Sequence, residues 1–390
     1  MSLSSRSVAT HLRILRASGF CRLAGGARAS PRGRLHALYR AFTLSLTSLY
    51  LLQECVYAYQ VRQDMDKLAR VMFLLLCHIT SIAKQFVFHM KAERIDEMLG
   101  ELDDPLYNQG VEAHTRLLRV TAARASRFVR AYSGCAVVTC TLWITFPIMY
   151  FLQGQPVEFP FWVNVDYNGP RMFTLVLAYS YYVTTLVGIA NTTMDAFMAT
   201  VLNQCKTQLR ILRMNFEHLP QRAAELASAS SEHYDAVLAR LFRECLLHYD
   251  KITGTAKLLQ DIFGTAILIQ FGIGGWILCM AAYKIVSLNV LSVEFASMTL
   301  FISCILTELF LYCYYGNEVT DESERVSGSL YSMEWRRARL SFRRSLVLVM
   351  ERAKRPLRPA AGLVIPLSLD TFVKIIKSSY TFYAVLRQTK

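Results

Sequence analysis

The chain has 390 residues, of which 53% are hydrophobic and 18% charged, with a formal net charge of +14. A soluble protein of this length carries more charge, about 25%, and spreads its apolar residues more evenly, so the composition argues against a globular soluble protein. Lys and Arg gather in particular loops and not on one amphipathic face, which favours a membrane explanation of the basic balance over nucleic-acid binding.

Residues 1–36 hold seven Arg and no acid. They read as an arm preceding the first span, and residues 1–37 form the first segment of the chain. Seven hydrophobic blocks follow in residues 38–390, at about 38–59, 68–90, 131–152, 172–202, 260–285, 294–316 and 367–389. A hydrocarbon layer of about 30 Å takes about 20 helical residues. Each block is too long for a strand and lacks alternation, so each is expected to be a helix. The seventh is the most polar, with Lys374, Lys377, Ser378, Ser379, Thr381 and Gln388.

Between the third and fourth blocks, residues 153–171 carry Gly154, Pro156, Pro160, Phe161, Trp162, Asn168, Gly169 and Pro170. Such a loop serves either as a lid or binding element or as an interfacial aromatic anchor. Residues 206–217 and 232–259 show helical spacing of apolar residues between charges, so the fourth and fifth spans are expected to continue as amphipathic helices. Ala223 to Ser231, between them, reads as a flexible bend.

Alternate loops hold 33 Lys and Arg on one side and six on the other. The imbalance puts the amino terminus and the long loops in the cytoplasm, and seven crossings put the carboxyl terminus outside. The fold class is thus an all-α membrane protein with seven transmembrane helices and long cytoplasmic helical extensions.

The ten cysteines include no C-x-x-C pair, and most sit inside hydrophobic blocks. They read as small apolar packing residues rather than a disulfide or zinc framework. No H-E-x-x-H, G-x-S-x-G or G-x-x-x-x-G-K is present, and no catalytic residue, metal ligand or cofactor is assigned. The run Ser81 to Lys84 reads S-x-x-K, which inside a span is a chance match.

Ionisable residues inside spans are functional candidates because burying charge is costly. Those at issue are Glu54, Asp195, Glu308, Lys374 and Lys377, and Glu308 and Lys377 are expected to pair across helices. The outer halves of the spans are aromatic and apolar. A pocket for a small, volatile, mostly hydrophobic ligand is expected from Phe73, Leu76, Cys77, Trp143, Phe146, Tyr150, Phe173, Tyr179, Tyr182, Met298 and Phe301, with ordinary helix packing as the rival reading. On the seventh span Ser378, Thr381, Val385 and Gln388 share one face, which calls for water or another polar helix.

The carboxyl end carries Ser368-Leu369-Asp370-Thr371-Phe372, then Ser379-Tyr380-Thr381-Phe382-Tyr383 and Leu386-Arg387-Gln388. Before it stand Tyr314-Tyr315-Gly316-Asn317-Glu318, Ser323-Glu324, Ser327, Tyr331 and Trp335. With the outer Phe159-Pro160-Phe161-Trp162 and Asp166, and with Asp195 in the fourth span, these runs resemble the insect odorant receptors, seven-span ligand-gated cation channels, over about residues 38 to 390.

The resemblance implies a tuning subunit that joins a shared odorant coreceptor in a hetero-oligomer, a tetramer by expectation. The complex would sit in the plasma membrane of sensory neuron dendrites, in contact with lipid. A small volatile odorant would be its ligand and nucleic acid would not. It also implies a pore lined by the seventh helix, with Val385, Gln388 and Thr389 at the gate and pore positions. Thr389 differs from the hydrophobic residue common in the coreceptor, and residues 203–258 lack the coreceptor's long insertion. The alternatives are a gustatory-type ligand-gated channel and a G-protein-coupled receptor. A secondary transporter would need repeated halves with broken helices, and neither is present.

Overall fold

The computed structural model describes residues 2–22, 30–286, 288–336 and 338–388. Eleven helices occur among them: α1 Leu3–Ala17, α2 Pro31–Gln60, α3 Met65–Met90, α4 Ala92–Leu102, α5 Glu112–Leu152, α6 Pro170–Glu217, α7 Leu219–Ser230, α8 Tyr234–Val286, α9 Val293–Ser332, α10 Leu340–Ala353 and α11 Leu369–Gln388. The seven expected spans fall on α2, α3, α5, α6, α8, α9 and α11. Five of these, α3, α5, α6, α8 and α9, are long and apolar enough to cross a membrane. Helices α2 and α11 lie outside that set.

The 48 residues of α6 and 53 of α8 give lengths of about 70 and 80 Å at 1.5 Å per residue. Both exceed a hydrocarbon layer of about 30 Å. Their charged ends, together with those of α5 and α9, therefore continue past the apolar layer, as the amphipathic spacing predicts.

A second layer packs around those charged ends. Val8, Leu12 and Leu15 of α1 are buried in the main core, so part of the amino-terminal arm is a docked helix and not a free tail. Its first turn is tied down where Ser2 N donates to Asp103 Oδ1 at 2.8 Å and Ser4 Oγ donates to Tyr107 O at 3.1 Å. Ion pairs join the layer: Arg213 to Glu322 at 2.6 Å, and Lys251 to Glu101 and Asp104 at 2.7 and 2.6 Å.

The expected flexible bend at Ala223–Ser231 is corrected. It lies almost wholly within α7, which opens on Pro220 and ends at Ser231 in the left-handed region (φ 56°). Proline suits the first helical turn because its missing N–H has no partner there anyway. Burial of Leu219, Pro220 and Ala223 then anchors a helix whose outer face is small and polar.

Between α10 and α11 a two-residue antiparallel pair, Ala360–Ala361 with Ile365–Pro366, brings the chain back to the bundle. Its turn uses Gly362 at φ 57°, and Gly362 N donates to Gly264 O of α8 at 2.9 Å. Glycine adopts that conformation without strain. At Gly316 on α9 an added Cβ would collide with Leu367, so this glycine sets how closely the start of α11 approaches α9.

Candidate functional site

Two adjoining cavities, both lined by Leu74 and Trp143, lie one between α2, α3, α5, α8 and α9 and the other between α3, α5, α6 and α9. The outer one, about 210 Å³, is walled by Phe73, Trp143, Phe146 and Met298, with Phe159 and Pro160 of the 153–169 loop closing over it. The deeper one, about 90 Å³, meets Cys77, Phe301, Cys304 and Ile305 and has a polar edge of Thr139, Thr184, Thr192, Asn191 and Glu308. Ring contacts set the shape of the wall: Phe73 lies 5.7 Å from Trp143 and 5.3 Å from Phe301, and Trp143 lies 5.5 Å from Phe301.

Of the eleven positions expected in the pocket, Phe73, Cys77, Trp143, Phe146, Met298 and Phe301 line these cavities. The other five do not. Leu76 packs against the main core, Tyr150 and Tyr182 face outward, and Phe173 stacks on Phe151 at 4.0 Å. Tyr179 donates its O–H to Gln53 Oε1 at 2.8 Å. Position along α5, and not helical phase, separates Tyr150 from Trp143 and Phe146. The three share one helical face, but Tyr150 lies one turn beyond Phe146, past Pro147, and is exposed.

The 153–169 loop is held by its aromatics. Phe159 and Phe161 are buried against Tyr50, Phe173 and Val183 in a satellite core. Trp162 N donates to Gln53 O at 3.1 Å, and Lys67 pairs with Glu158 at 2.6 Å across the cavity mouth. A loop with its own apolar core and one ion pair is placed to cover the outer cavity.

Beneath the deeper cavity lies a buried polar cluster that sequence reading missed. Lys84 Nζ of α3 donates to Asp195 Oδ1 of α6 at 2.6 Å, to Asn191 Oδ1 at 2.9 Å, and to Glu308 of α9. Tyr312 donates its O–H to Asp195. Lys84 and Glu308 are each 1% exposed and Asp195 is fully buried. The expected Glu308–Lys377 pair is therefore corrected. Glu308 has turned inward to Lys84, while the neighbouring Lys374 pairs with Asp370 at 2.6 Å on the open face of α11. Lys377 itself is exposed. Glu54 of α2 has its own partner, His78 Nδ1 of α3, at 2.7 Å.

On α11, Ser378, Thr381 and Val385 all face away from the bundle, Val385 being 53% exposed. Ser379 is buried, and Phe382 stacks on Trp276 of α8 at 5.4 Å. The Gln388 side chain and Thr389 lie outside the described residues. In a single chain, then, Ser378 and Thr381 of the stripe are exposed.

At the charged end, burial of His11 and His248 pushes each imidazole down to about 4. No cluster of three or more His, Cys, Asp or Glu side chains suited to a metal occurs among the described residues.

Residues 64–380 match the family model described as 7tm Odorant receptor. Odorant receptor 94a of Drosophila melanogaster is 26% identical over 257 residues, which is 65% of this chain and 61% of that protein. Odorant receptor Or2 of Anopheles gambiae is 24% identical over 257 residues, 65% of this chain and 66% of that protein. The chain thus spans about three fifths of the length of these relatives. The structure of the insect olfactory receptor OR5 from Machilis hrabei in complex with eugenol superposes with a TM-score of 0.83 over 97% of each chain, at 15% identity.

Proposed function

Because this chain belongs to the odorant receptor family of insects, a family of membrane receptors and not of enzymes, we propose that it is an odorant-binding tuning subunit of a heteromeric ligand-gated cation channel. A small hydrophobic volatile enters the two adjoining cavities. Its binding opens a pore to which α11 contributes Ser378, Thr381, Val385, Gln388 and Thr389. The observation that carries the proposal is the pairing of two features on opposite sides of α9. One is an aromatic-walled cavity of small-molecule dimensions under a loop lid. The other is α11, on which Ser378 and Thr381 are exposed on the face turned away from the bundle.

The physical logic is differential binding. A ligand favours the open pore only by the margin with which it binds that state more tightly. The cavity walls and the buried Lys84 cluster share α3, α6 and α9. Helix α9 meets Leu367, just before α11, at Gly316 and meets α11 itself where Phe310 lies 5.5 Å from Phe372. A change in the separation of α9 from α3 is thereby passed to α11.

The partner in this reading is an odorant coreceptor, in a hetero-oligomer of four subunits in the plasma membrane of sensory neuron dendrites. The orientation follows from the loop charges: the Arg-rich arm and the α1, α4, α7 and α10 layer inside, the carboxyl terminus outside. Residues 1–37 then form the cytoplasmic arm and 38–390 the seven-helix channel domain.

The test is expression with and without an odorant coreceptor, with current recorded during application of a panel of volatiles. The proposal expects odour-evoked cation current only in the pair. Odour-evoked current from this chain alone would favour the gustatory-type reading instead.

A further inference from the structure

The deeper cavity has a polar edge in which almost every hydrogen is already committed. Thr139 Oγ1 donates to Cys135 O at 2.9 Å, Thr184 Oγ1 to Ser180 O at 2.7 Å, and Thr192 Oγ1 to Gly188 O at 2.9 Å. Tyr132 donates its O–H to Cys304 O at 2.9 Å. These hydroxyls have only lone pairs left, because each carries a single hydrogen. Glu308 accepts from Lys84. Asn191 differs: its Oδ1 accepts from Lys84 at 2.9 Å, which fixes the amide orientation and leaves its N–H₂ as the one amide donor at this edge.

We propose that this edge selects volatiles that bear a hydrogen-bond donor, namely alcohols and phenols, over ethers, esters and ketones of the same size. This rests on the cavity being the odorant site and adds the chemical class of its ligand. A hydroxyl can give its hydrogen to a threonine, the Tyr132 oxygen or Glu308 and receive the Asn191 N–H. Among the amide and hydroxyl groups of this edge an ether or ketone can use the Asn191 N–H alone, and it sets its own lone pairs against those of the other lining oxygens.

Burying polar groups without partners is where specificity of this kind comes from, since the loss falls on both ligand and site. Apart from His78, whose Nδ1 meets Glu54 at 2.7 Å, the rest of the deeper cavity's wall is apolar and aromatic, so chain length and branching are read there by shape. The commitment of the threonine hydrogens follows from helix position. A Thr side chain in a helix reaches the carbonyl four residues back, as all three do here.

The experiment expresses the full chain with a coreceptor and compares matched compounds: hexanol with methoxypentane and hexan-2-one, and ethylphenol with ethylanisole. One to two hydrogen bonds predict half-maximal activation by the hydroxyl compound at a concentration about tenfold to a hundredfold lower. Glu308→Gln, which exchanges an acceptor for a group that can also donate, should shrink that ratio. Thr184→Val, which keeps the volume and leaves the Lys84 cluster intact, should shrink it as well and keeps the test open where Glu308→Gln fails to reach the surface. Equal activation by hydroxyl compounds and their ethers and ketones would overturn the donor rule and leave the odorant-channel reading standing. Silence toward every compound of both classes would contradict the two together.

Discussion

Lys84 and Asp195 meet at 2.6 Å, and both are buried from solvent, although 111 residues separate them. This contact ties α3 to α6, and Glu308 brings α9 to the same ammonium. Two carboxyl groups share one lysine, which also donates to Asn191 Oδ1, and Asp195 takes the Tyr312 O–H as well; Asp195 Oδ2 has no hydrogen-bond partner among the described residues. A buried pair contributes little net stability compared with an apolar replacement, but removal of one member is costly.

Lys84→Met therefore leaves two buried acids facing each other and should destabilise the protein by about 3–5 kcal/mol. Tyr312→Phe removes only one donor to Asp195 and should cost about 1–3 kcal/mol. Thermal unfolding of the purified complex, with surface expression alongside, checks both. The triple change Lys84→Met with Asp195→Asn and Glu308→Gln should recover part of the loss.

Gly316→Ala places a methyl group against Leu367, where α9 and the start of α11 touch. Overpacking of this kind costs about 1–3 kcal/mol. Because the contact joins the cavity helix to the stripe helix, the variant should also change the fraction of current present without odorant. A silent or wild-type response in both measurements would remove this contact from the account.

Stability should fall on acidification through the charged end. His11 and His248 are held neutral in the folded chain, with pKa values of about 4, below the unfolded value of about 6.5. Between those values the unfolded chain binds more protons than the folded one. Stability is thus fully present above about pH 6.5 and is lost as pH falls toward 4, by up to about 3 kcal/mol for each histidine. Unfolding temperature measured from pH 7.5 to pH 4 checks the slope, and His11→Gln should flatten it.

The long helices were legible in the sequence because a membrane imposes a length on every crossing. Continuous apolar blocks of that length leave few other readings. The α6 and α8 extensions were legible for the related reason that apolar residues kept helical spacing beyond the apolar block. Helix α7 was not. Its exposed face, Ala224 to Ser230, looks like a linker, and its identity as a helix rests on three buried residues at its start.

The Lys84 cluster was hidden differently. A lone lysine in an apolar block gives no sign of its partners, because they lie 111 and 224 residues away. The signal available was depth: one base on one span and one acid on each of two others, all in the inner halves of their spans. The pocket was half legible. Composition flagged aromatic residues in the outer halves, but Trp143 and Tyr150 share one helical face, and which of them lines a cavity is decided by the neighbours that pack at each height along the helix.

The claim most in need of a direct measurement is that the cavity and the α11 stripe are separate working parts. In cells expressing the chain with a coreceptor, the rank order of odorants and the relative permeability to cations are recorded for Trp143→Ala and for Thr381→Ala. Trp143→Ala should reorder the odorants and leave permeability as it was, and Thr381→Ala should do the reverse. Equal shifts in both properties from both variants would contradict that claim.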